Sequence, residues 1–346
     1  MSGHDIVVVG ASSGGVEALS RVVRRLPGDL DASVFLVLHI SPSRTSALPA
    51  ILGREAILPV VQAEDGVPIK RGHIYVAAPD RHLIVRPGHM SLTAGPTENR
   101  VRPSVDALFR SAAVAYPGRT VGVVLTGNLD DGAAGLAAIK LCGGIAVVQD
   151  PSEAFAPSMP RAALDATEVD HVAFLDEMGP LIARLVAEPA RSPDVTIPED
   201  LRAEVAASFF IDHPIVRVQV PGSAADLPAP LACPSCGGGL MPTNGNGLSR
   251  VARYRCHVGH TFTARGLLDA LGDDMERALW VALRTLEERI ALLEALAGEQ
   301  SERDRQLSAR QYLERADGLR GSVKTIRDLL MSGLNGGGQP VHESSD

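Results

Sequence analysis

The chain has 346 residues, which is too long for one typical domain and short for three large ones, so we expect two domains. Its 45% of hydrophobic residues and 21% of charged residues are typical of a globular protein with a packed core. Only 3% of the residues are aromatic and the net charge is −8, which argues against nucleic acid and anionic membranes as general partners. No apolar run is long enough for membrane insertion, and no signal peptide pattern precedes the first strand-like run.

Residues 1–187 alternate apolar strand-like runs with helical runs. The strand-like runs are DIVVVG, SVFLVLHI, TVGVVLTG and IAVVQD, and the helical runs include GVEALSRVVRRL, SVDALFRSAAVAY and GAAGLAAIKLCGG. Continuous apolar strands separated by helices indicate a parallel sheet that is covered on both faces. The sequence therefore predicts an α/β domain with a doubly wound, mostly parallel sheet. The shorter runs HIYVAAP and HLIVRPG are separated by turn residues, and we expect them to pair antiparallel.

The remainder of the chain divides into four segments by composition. Residues 188–230 are rich in proline, alanine and aspartate and are predicted to be a linker. Residues 231–264 hold three of the four cysteines, and residues 265–332 carry two apolar stripes with alternating steps of four and three. These stripes predict an antiparallel helical hairpin or a short coiled coil, through which the chain could also self-associate. The tail, 333–346, is predicted to be disordered.

Three polar residues follow three of the predicted strands. Ser12 comes after IVVVG, His39 ends VFLVLH, and Asp131 lies in the segment after VGVVLTG. Ligands bind beyond the carboxyl ends of the strands in an open parallel sheet, and a serine, a histidine and a carboxylate there form a hydrolytic triad. These residues also have simpler interpretations. His39 could be a hydrogen-bonded histidine at the end of a strand, and Asp130 and Asp131 could cap the next helix. The occurrence of all three residues at the ends of three apolar strands favours a catalytic site.

The segment Gly10–Gly14 matches the pattern G-x-S-x-G of a nucleophile elbow, a sharp turn from strand to helix. It does not match the phosphate-binding patterns G-x-G-x-x-G or the P-loop. The register assigns the nucleophile to Ser12, and the backbone N–H of Ser13 is placed at a helix N-terminus where it can hold an oxyanion. The pattern alone is weak, since many turns of this kind carry no chemistry.

The cysteine segment predicts a metal site. Cys233 and Cys236 form a C-x-x-C knuckle, and Cys256 follows later with two histidines close behind it. Three thiolates and one imidazole make a closed tetrahedral zinc site of structural type, with no open position for catalysis. His260 is the expected fourth ligand and His257 the alternative. Cysteines used as metal ligands rather than disulfides are consistent with a cytoplasmic protein.

The first domain resembles the catalytic domain of chemotaxis protein-glutamate methylesterases, the CheB family. The resemblance is carried, in order over about residues 5–185, by VVVGASSGGVEAL, LVLHISPS, GHIYVAAPDRHL, RPSVDALFRSAA, VVLTGNLDDGAAGL and SMPRAAL. It implies hydrolysis of glutamate methyl esters on chemoreceptor-type proteins, often with deamidation of receptor glutamines, and no cofactor for catalysis. It also implies Ser12 as nucleophile, His39 as general base and acid, and Asp131 as the orienting carboxylate.

The sequence departs from the family pattern in two respects. Where the family usually has Met-Gly, with the methionine N–H bound to the oxyanion, this chain has Asn128-Leu129, and Asn128 can supply the same N–H. Family members commonly carry an N-terminal receiver domain that blocks the site, and the resemblance here starts at about residue 5, so we expect that domain to be lacking. The alternatives are a regulator outside chemotaxis and a hydrolase of another ester or amide on the same scaffold.

Overall fold

The computed structural model describes residues 3–39, 46–190, 195–207, 231–243 and 252–332. The predicted tail and residues 208–230 of the predicted linker lie outside these ranges. The chain divides into two compact units, Met1–Leu267 and Leu268–Asp346. Among the described residues, no helix combines the length and the apolar character that a membrane span requires.

The first unit is built on a parallel sheet of seven strands, which confirms the predicted fold class. Its order is β3-β4-β2-β1-β7-β8-β9, and every neighbouring pair is parallel. After β1 and β2 the chain builds one side of the sheet, and it returns beside β1 with β7, so β1 lies where the winding reverses. The strands between residues 6 and 173 are β1 (Ile6–Ala11), β2 (Ser33–Leu38), β3 (Val60–Gln62), β4 (His73–Val76), β5 (His82–Arg86), β6 (His89–Thr93), β7 (Thr120–Val124), β8 (Ile145–Gln149) and β9 (His171–Ala173).

Helices cover both faces of the sheet and enclose two cores. Alternate residues of β1 point to opposite faces, with Val7 and Val9 in one core and Ile6 and Val8 in the other. The first core is closed by α1, α2 and α6, and the second by α3, α4 and α5. The helices are α1 (Gly15–Arg24), α2 (Leu48–Gly53), α3 (Val105–Ala115), α4 (Ala133–Leu141), α5 (Ser158–Ala166), α6 (Leu175–Ala187) and, within the predicted linker, α7 (Glu199–Ala207).

The predicted antiparallel pair of HIYVAAP with HLIVRPG is wrong. The first run forms β4, which is parallel to β2 in the main sheet, and the second forms β5, which pairs antiparallel with β6. The two residues Pro87 and Gly88 connect β5 to β6, and Gly88 has the positive φ of 80° that such a tight turn demands. The Pro-Gly turn therefore folds the chain back on β5, so that β6 and not β4 is the antiparallel partner of β5.

The cysteine segment forms a small three-stranded antiparallel sheet, which we call the ribbon (residues 231–243 and 252–263). Its strands are β10 (Leu240–Pro242), β11 (Arg253–Cys256) and β12 (Thr261–Thr263), in that order. Helix α8 (Ala264–Glu302) begins directly after β12 and continues into the second unit. The ribbon itself lies in the first unit, with the main sheet.

The second unit contains most of α8 and the whole of α9 (Gln306–Met331). The two helices are antiparallel, because Arg327 pairs with Glu287 while Arg320 pairs with Glu294. Buried apolar residues lie along both helices: Leu283, Leu293 and Ala297 of α8, and Ala309, Ala316 and Val323 of α9. The predicted helical hairpin is present, and self-association through it stays a prediction.

Candidate active site

The G-x-S-x-G segment is the turn between β1 and α1. Strand β1 ends at Ala11, and Gly14 is the N-cap of α1 with a positive φ of 77°. Ser12 lies between them, and its backbone N–H donates to the carbonyl of Thr126 at 2.9 Å, which ties the turn to the segment after β7. A Cβ built on Gly127 would lie 2.8 Å from the Cβ of Ser12, so this position has no room for a side chain. The tight turn predicted from the sequence is therefore packed closely against Gly127 on one side.

His39 and Asp131 are brought together beyond the strand ends. His39 directly follows β2, which is hydrogen-bonded to β1, and Asp131 lies in the segment between β7 and α4. The Nε2 of His39 is 2.7 Å from Oδ2 of Asp131. An ionised carboxylate only accepts, so Nε2 carries the proton and Nδ1 is left as the basic nitrogen of the neutral ring. Among the described residues, no hydrogen bond joins the side chains of Ser12 and His39. Catalytic hydrogen bonds of this kind often form only with substrate bound.

The Asp131 carboxylate is completely enclosed by donors. The helix N-terminus of α3 points at it, with the backbone N–H of Val105 2.7 Å from Oδ2 and that of Asp106 3.2 Å from Oδ1. The hydroxyl of Ser104, the N-cap of α3, donates to Oδ1 at 2.9 Å, and the amide of Asn99 is 3.4 Å from the same oxygen. Together with His39, five donors converge on one buried side chain. Asp131 therefore faces the N-terminus of α3, while the N-cap of α4 is Gly132.

Burial, charge repulsion and hydrogen-bond donors together set the pKa values of the two neighbouring buried carboxyls, Asp131 and Asp106. Burial alone would raise the pKa of Asp131, but the hydrogen bond from His39, the positive charge of that ring when it is protonated, and the donors from α3 lower the pKa to about 2. Asp106 is equally buried, and burial together with repulsion from Asp131 raises its pKa to about 7. Its carboxylate accepts from the backbone of Gly132 and Gly135 and from Asn99. The pKa values of these two neighbouring acids are therefore shifted in opposite directions.

The two residues predicted for the oxyanion site lie beside the elbow. The amide of Asn128 donates to the hydroxyl of Ser13 at 2.9 Å. In the part of the chain that the structure describes, the backbone N–H groups of Ser13 and Asn128 donate to no protein acceptor. Leu129, where the family pattern has glycine, adopts a positive φ of 61°. The loop thus keeps the left-handed backbone that glycine would adopt at no steric cost, although leucine seldom takes this conformation.

Comparison with known proteins gives the family of this domain. The family model described as CheB methylesterase matches residues 7–182, half of the chain. The chain belongs to the CheB methylesterase family. A protein of Leptospira interrogans is 38% identical over 183 residues, which are 53% of this chain and 95% of that relative. The family match over residues 7–182 includes β2, β7, nearly all of β1 and the segments that follow these strands, whereas the ribbon and the helical hairpin lie outside it.

Other CheB methylesterase relatives are matched over half of their length. A protein of Anaeromyxobacter dehalogenans, named protein-glutamate methylesterase/protein-glutamine glutaminase 2, is 41% identical over 174 residues, 50% of this chain and 51% of its own. Among solved structures, the crystal structure of the Thermotoga maritima CheB methylesterase catalytic domain has 32% identity and a TM-score of 0.51. That likeness covers 54% of this chain and all of the Thermotoga domain.

The ribbon attached to the CheB methylesterase domain gathers a set of metal-ligating side chains. The ligand atoms of Cys233, Cys236, Cys256 and His260 all lie within 4.8 Å of one another. Individual separations are 3.6 Å between the sulfurs of Cys236 and Cys256 and 3.5 Å from the Cys256 sulfur to Nδ1 of His260. Zinc–sulfur bonds of about 2.3 Å in a tetrahedron place two sulfurs about 3.8 Å apart. The residues therefore fit a tetrahedral ion, with His260 rather than His257 in the cluster.

Several residues around Asp131 were not predicted from the sequence. Ser104 was recognisable as a helix cap, but its hydroxyl also donates to Asp131. Asp106 follows two residues later and carried no signal beyond its place in the first turn of a helix. Asn99 depends on Thr263, which is 164 residues away, so no local pattern could have found it.

Proposed function

We propose that this chain is a protein-glutamate methylesterase, a serine carboxylesterase that hydrolyses glutamate methyl esters on chemoreceptor-type proteins. The observation that carries the proposal is the 2.7 Å bond between His39 and Asp131, at the edge of the sheet where Ser12 follows β1. Membership of the CheB methylesterase family and the names of the relatives support the same activity. The catalytic residues we assign are Ser12, His39 and Asp131.

In the proposed first step, the hydroxyl oxygen of Ser12 attacks the carbonyl carbon of the glutamyl ester. The proton of the hydroxyl passes to Nδ1 of His39, the ring nitrogen that is not bonded to Asp131. The oxyanion is held by the backbone N–H groups of Ser13 and Asn128. Asp131 holds the ring in this tautomer and stabilises the imidazolium by its negative charge.

The intermediate then collapses by breaking the bond to the methoxy group. The proton on His39 goes to the leaving oxygen, and methanol departs, which leaves a glutamyl ester on Ser12. A water molecule attacks this ester, His39 takes its proton, and the bond to the serine oxygen breaks with return of that proton to Ser12. The products are a free glutamate, methanol and the regenerated enzyme, and no cofactor is needed. With a glutamine substrate the same steps release ammonia, and we propose that deamidation as a second activity.

Methanol release from methylated chemoreceptor fragments tests this proposal. The native chain should release methanol, Ser12→Ala should not, and Ser20→Ala on α1 serves as the serine control. Absence of release by the native chain would sink the methylesterase assignment, whereas undiminished release by Ser12→Ala would sink the assignment of the nucleophile. A broad panel of ester and amide substrates, run beside the receptor fragments, separates this substrate class from other hydrolysis.

We propose that the ion of the ribbon is zinc and that its role is structural. Three sulfurs and one imidazole nitrogen are the donor set that zinc prefers, and the set leaves no open position for a water. The ribbon has few large apolar side chains, so metal binding would supply much of its folding free energy. Metal analysis should find about one zinc per chain. Cys236→Ser should lose the ion, while Ser235→Ala in the same knuckle should keep it.

We propose that the protein works in the cytoplasm. The four cysteines of the chain are free thiols, and three of them take part in the metal-ligating cluster. Thiols in such clusters persist in reducing compartments, where disulfides are rare. Fractionation of cells, with the thiols alkylated at lysis, tests the proposal.

A further inference from the structure

One loop of the CheB methylesterase domain contacts both the candidate active site and the ribbon. This Asn99 loop (residues 96–101) contains Glu98 and Asn99, both buried. Asn99 and Arg100 have positive φ values of 49° and 66°, which non-glycine residues rarely adopt. Two residues in this conformation in succession require surroundings that hold them there, at a cost of about 1 kcal/mol or more each. The Asn99 loop therefore depends on its contacts with the surrounding residues to keep this backbone conformation.

On the side of the active site, the amide of Asn99 bridges the two buried carboxyls. Its Nδ2 lies 3.3 Å from Oδ2 of Asp106 and 3.4 Å from Oδ1 of Asp131. The two hydrogens of one NH2 group can serve both acids. Asn99 thereby separates two groups that would otherwise repel each other, and it contacts the carboxylate that orients His39. It touches no reacting atom, so it is a positioning residue.

On the other side, strand β12 of the ribbon holds Asn99 at two points. The side-chain oxygen of Asn99 accepts from the backbone N–H of Thr263 at 2.9 Å, and its backbone N–H donates to the carbonyl of Thr261 at 2.8 Å. The first bond fixes which end of the amide faces the ribbon, so the NH2 end is directed at the carboxyls. His260, in the metal-ligating cluster, directly precedes Thr261 and accepts a backbone bond from Cys256 at 3.0 Å.

A buried ion cluster holds the same loop through the neighbouring residue. Glu98 pairs with Arg110 of α3 at 2.7 Å and lies 3.5 Å from Arg253 of β11. Arg253 stands opposite Thr263 in the ribbon sheet and also pairs with Glu204 of α7 at 2.6 Å. Buried charges tolerate little displacement, because losing a partner leaves an uncompensated charge. The ribbon is thus attached to the loop by backbone bonds and by this cluster.

We propose that the ribbon positions the catalytic carboxylate through Asn99, so that the metal of the ribbon sets the rate of the chemical step. The ion orders the turn that ends at His260, the adjoining strand β12 orients the Asn99 amide, and the amide fixes Asp131 against His39. This inference rests on the proposed esterase activity and extends it to a part of the chain outside the family match.

The test is a cycle of two changes in the full chain, removal of the metal by a chelator and Asn99→Gly. Glycine suits the left-handed backbone, and the substitution removes the side chain with its amide. Metal removal should lower kcat about tenfold with KM little changed, as should Asn99→Gly, since a hydrogen bond to a charged group is lost. In Asn99→Gly, metal removal should have little further effect on kcat, because the amide that links β12 to Asp131 is already absent. Arg100→Gly makes the same backbone change one residue on and should retain the native kcat and the native response to metal.

Two further measurements keep the outcomes distinct. The rate at which a fluorophosphonate labels Ser12 reports the nucleophile without any receptor substrate, and thermal unfolding shows whether each sample is folded. Labelling that slows with metal removal, together with absent methanol release by the native chain, would refute the proposed substrate and support the coupling. A kcat and a labelling rate that do not respond to the metal would overturn the coupling. So would an equal response in the native chain and in Asn99→Gly.

Discussion

Asp131→Asn tests the triad most directly, because the structure shows what an amide would meet there. Two donors face Oδ2, from His39 and Val105, and three face Oδ1, from Ser104, Asp106 and Asn99. An NH2 group on either side confronts at least one backbone N–H that cannot become an acceptor. A buried donor left without a partner costs about 1–3 kcal/mol. If the NH2 group faces His39, the ring must take the other tautomer, with Nδ1 protonated and unable to act as the base.

The charge itself adds a second loss of stability. The pKa of Asp131 is lowered from 3.8 to about 2, so its ionisation stabilises the folded state by about 2 kcal/mol at neutral pH. Because the folded-state pKa is the lower one, this stabilisation is present above about pH 4 and is lost as the pH falls toward 2. The difference in free energy of unfolding between native chain and variant should therefore narrow on acidification.

The assays are methanol release, fluorophosphonate labelling of Ser12, and urea unfolding at several pH values. We expect kcat to fall about 10³–10⁴-fold, as for loss of the orienting carboxylate in a triad. Asp29→Asn, which changes an exposed aspartate in the same way, is the control and should match the native chain. If Asp131→Asn kept a kcat within about tenfold of native, the orienting role assigned to Asp131 would be wrong.

Two other changes probe the surroundings of the triad. Gly127→Ala should slow labelling of Ser12 about 100-fold, because the new Cβ would overlap Sδ of Met159 and lie 2.8 Å from the Cβ of Ser12. Gly318→Ala, at a position with open space around it, should label at the native rate. Equal labelling of the two variants would contradict the close approach of Gly127 to Ser12. The pKa of Asp106 is raised to about 7, so its contribution to stability is present below its ordinary pKa and is lost as the pH rises through about 7. In urea unfolding, the free energy of unfolding of the native chain should fall between pH 5 and 8, whereas that of Asp106→Asn should change less with pH. Identical pH dependence in the two proteins would refute the contribution assigned to Asp106.

The sequence predicts the sheet and the three polar strand ends because both follow from local patterns. Apolar runs such as those ending at Ala11 and Leu38 are buried on both faces, and the next residue of each chain segment emerges at the same edge. The antiparallel pairing failed because strand partners depend on tertiary position, and the Pro-Gly turn made a closer partner available to β5. Asn99 could not be found, since its role exists only once β12 lies beside it.

In the mechanism proposed above, the donors around Asp131 also determine where the proton of Ser12 stays during turnover. With a pKa of about 2, Asp131 remains ionised at neutral pH, so a proton taken from Ser12 rests on His39 and does not pass to the carboxylate. The nearby Asp106, with its pKa raised to about 7, takes up a proton much more readily, which relieves the repulsion between the two acids. The fixed negative charge at Asp131 then stabilises the imidazolium of His39 undiminished. Asn99, between the acids, is a hydrogen-bond donor to both.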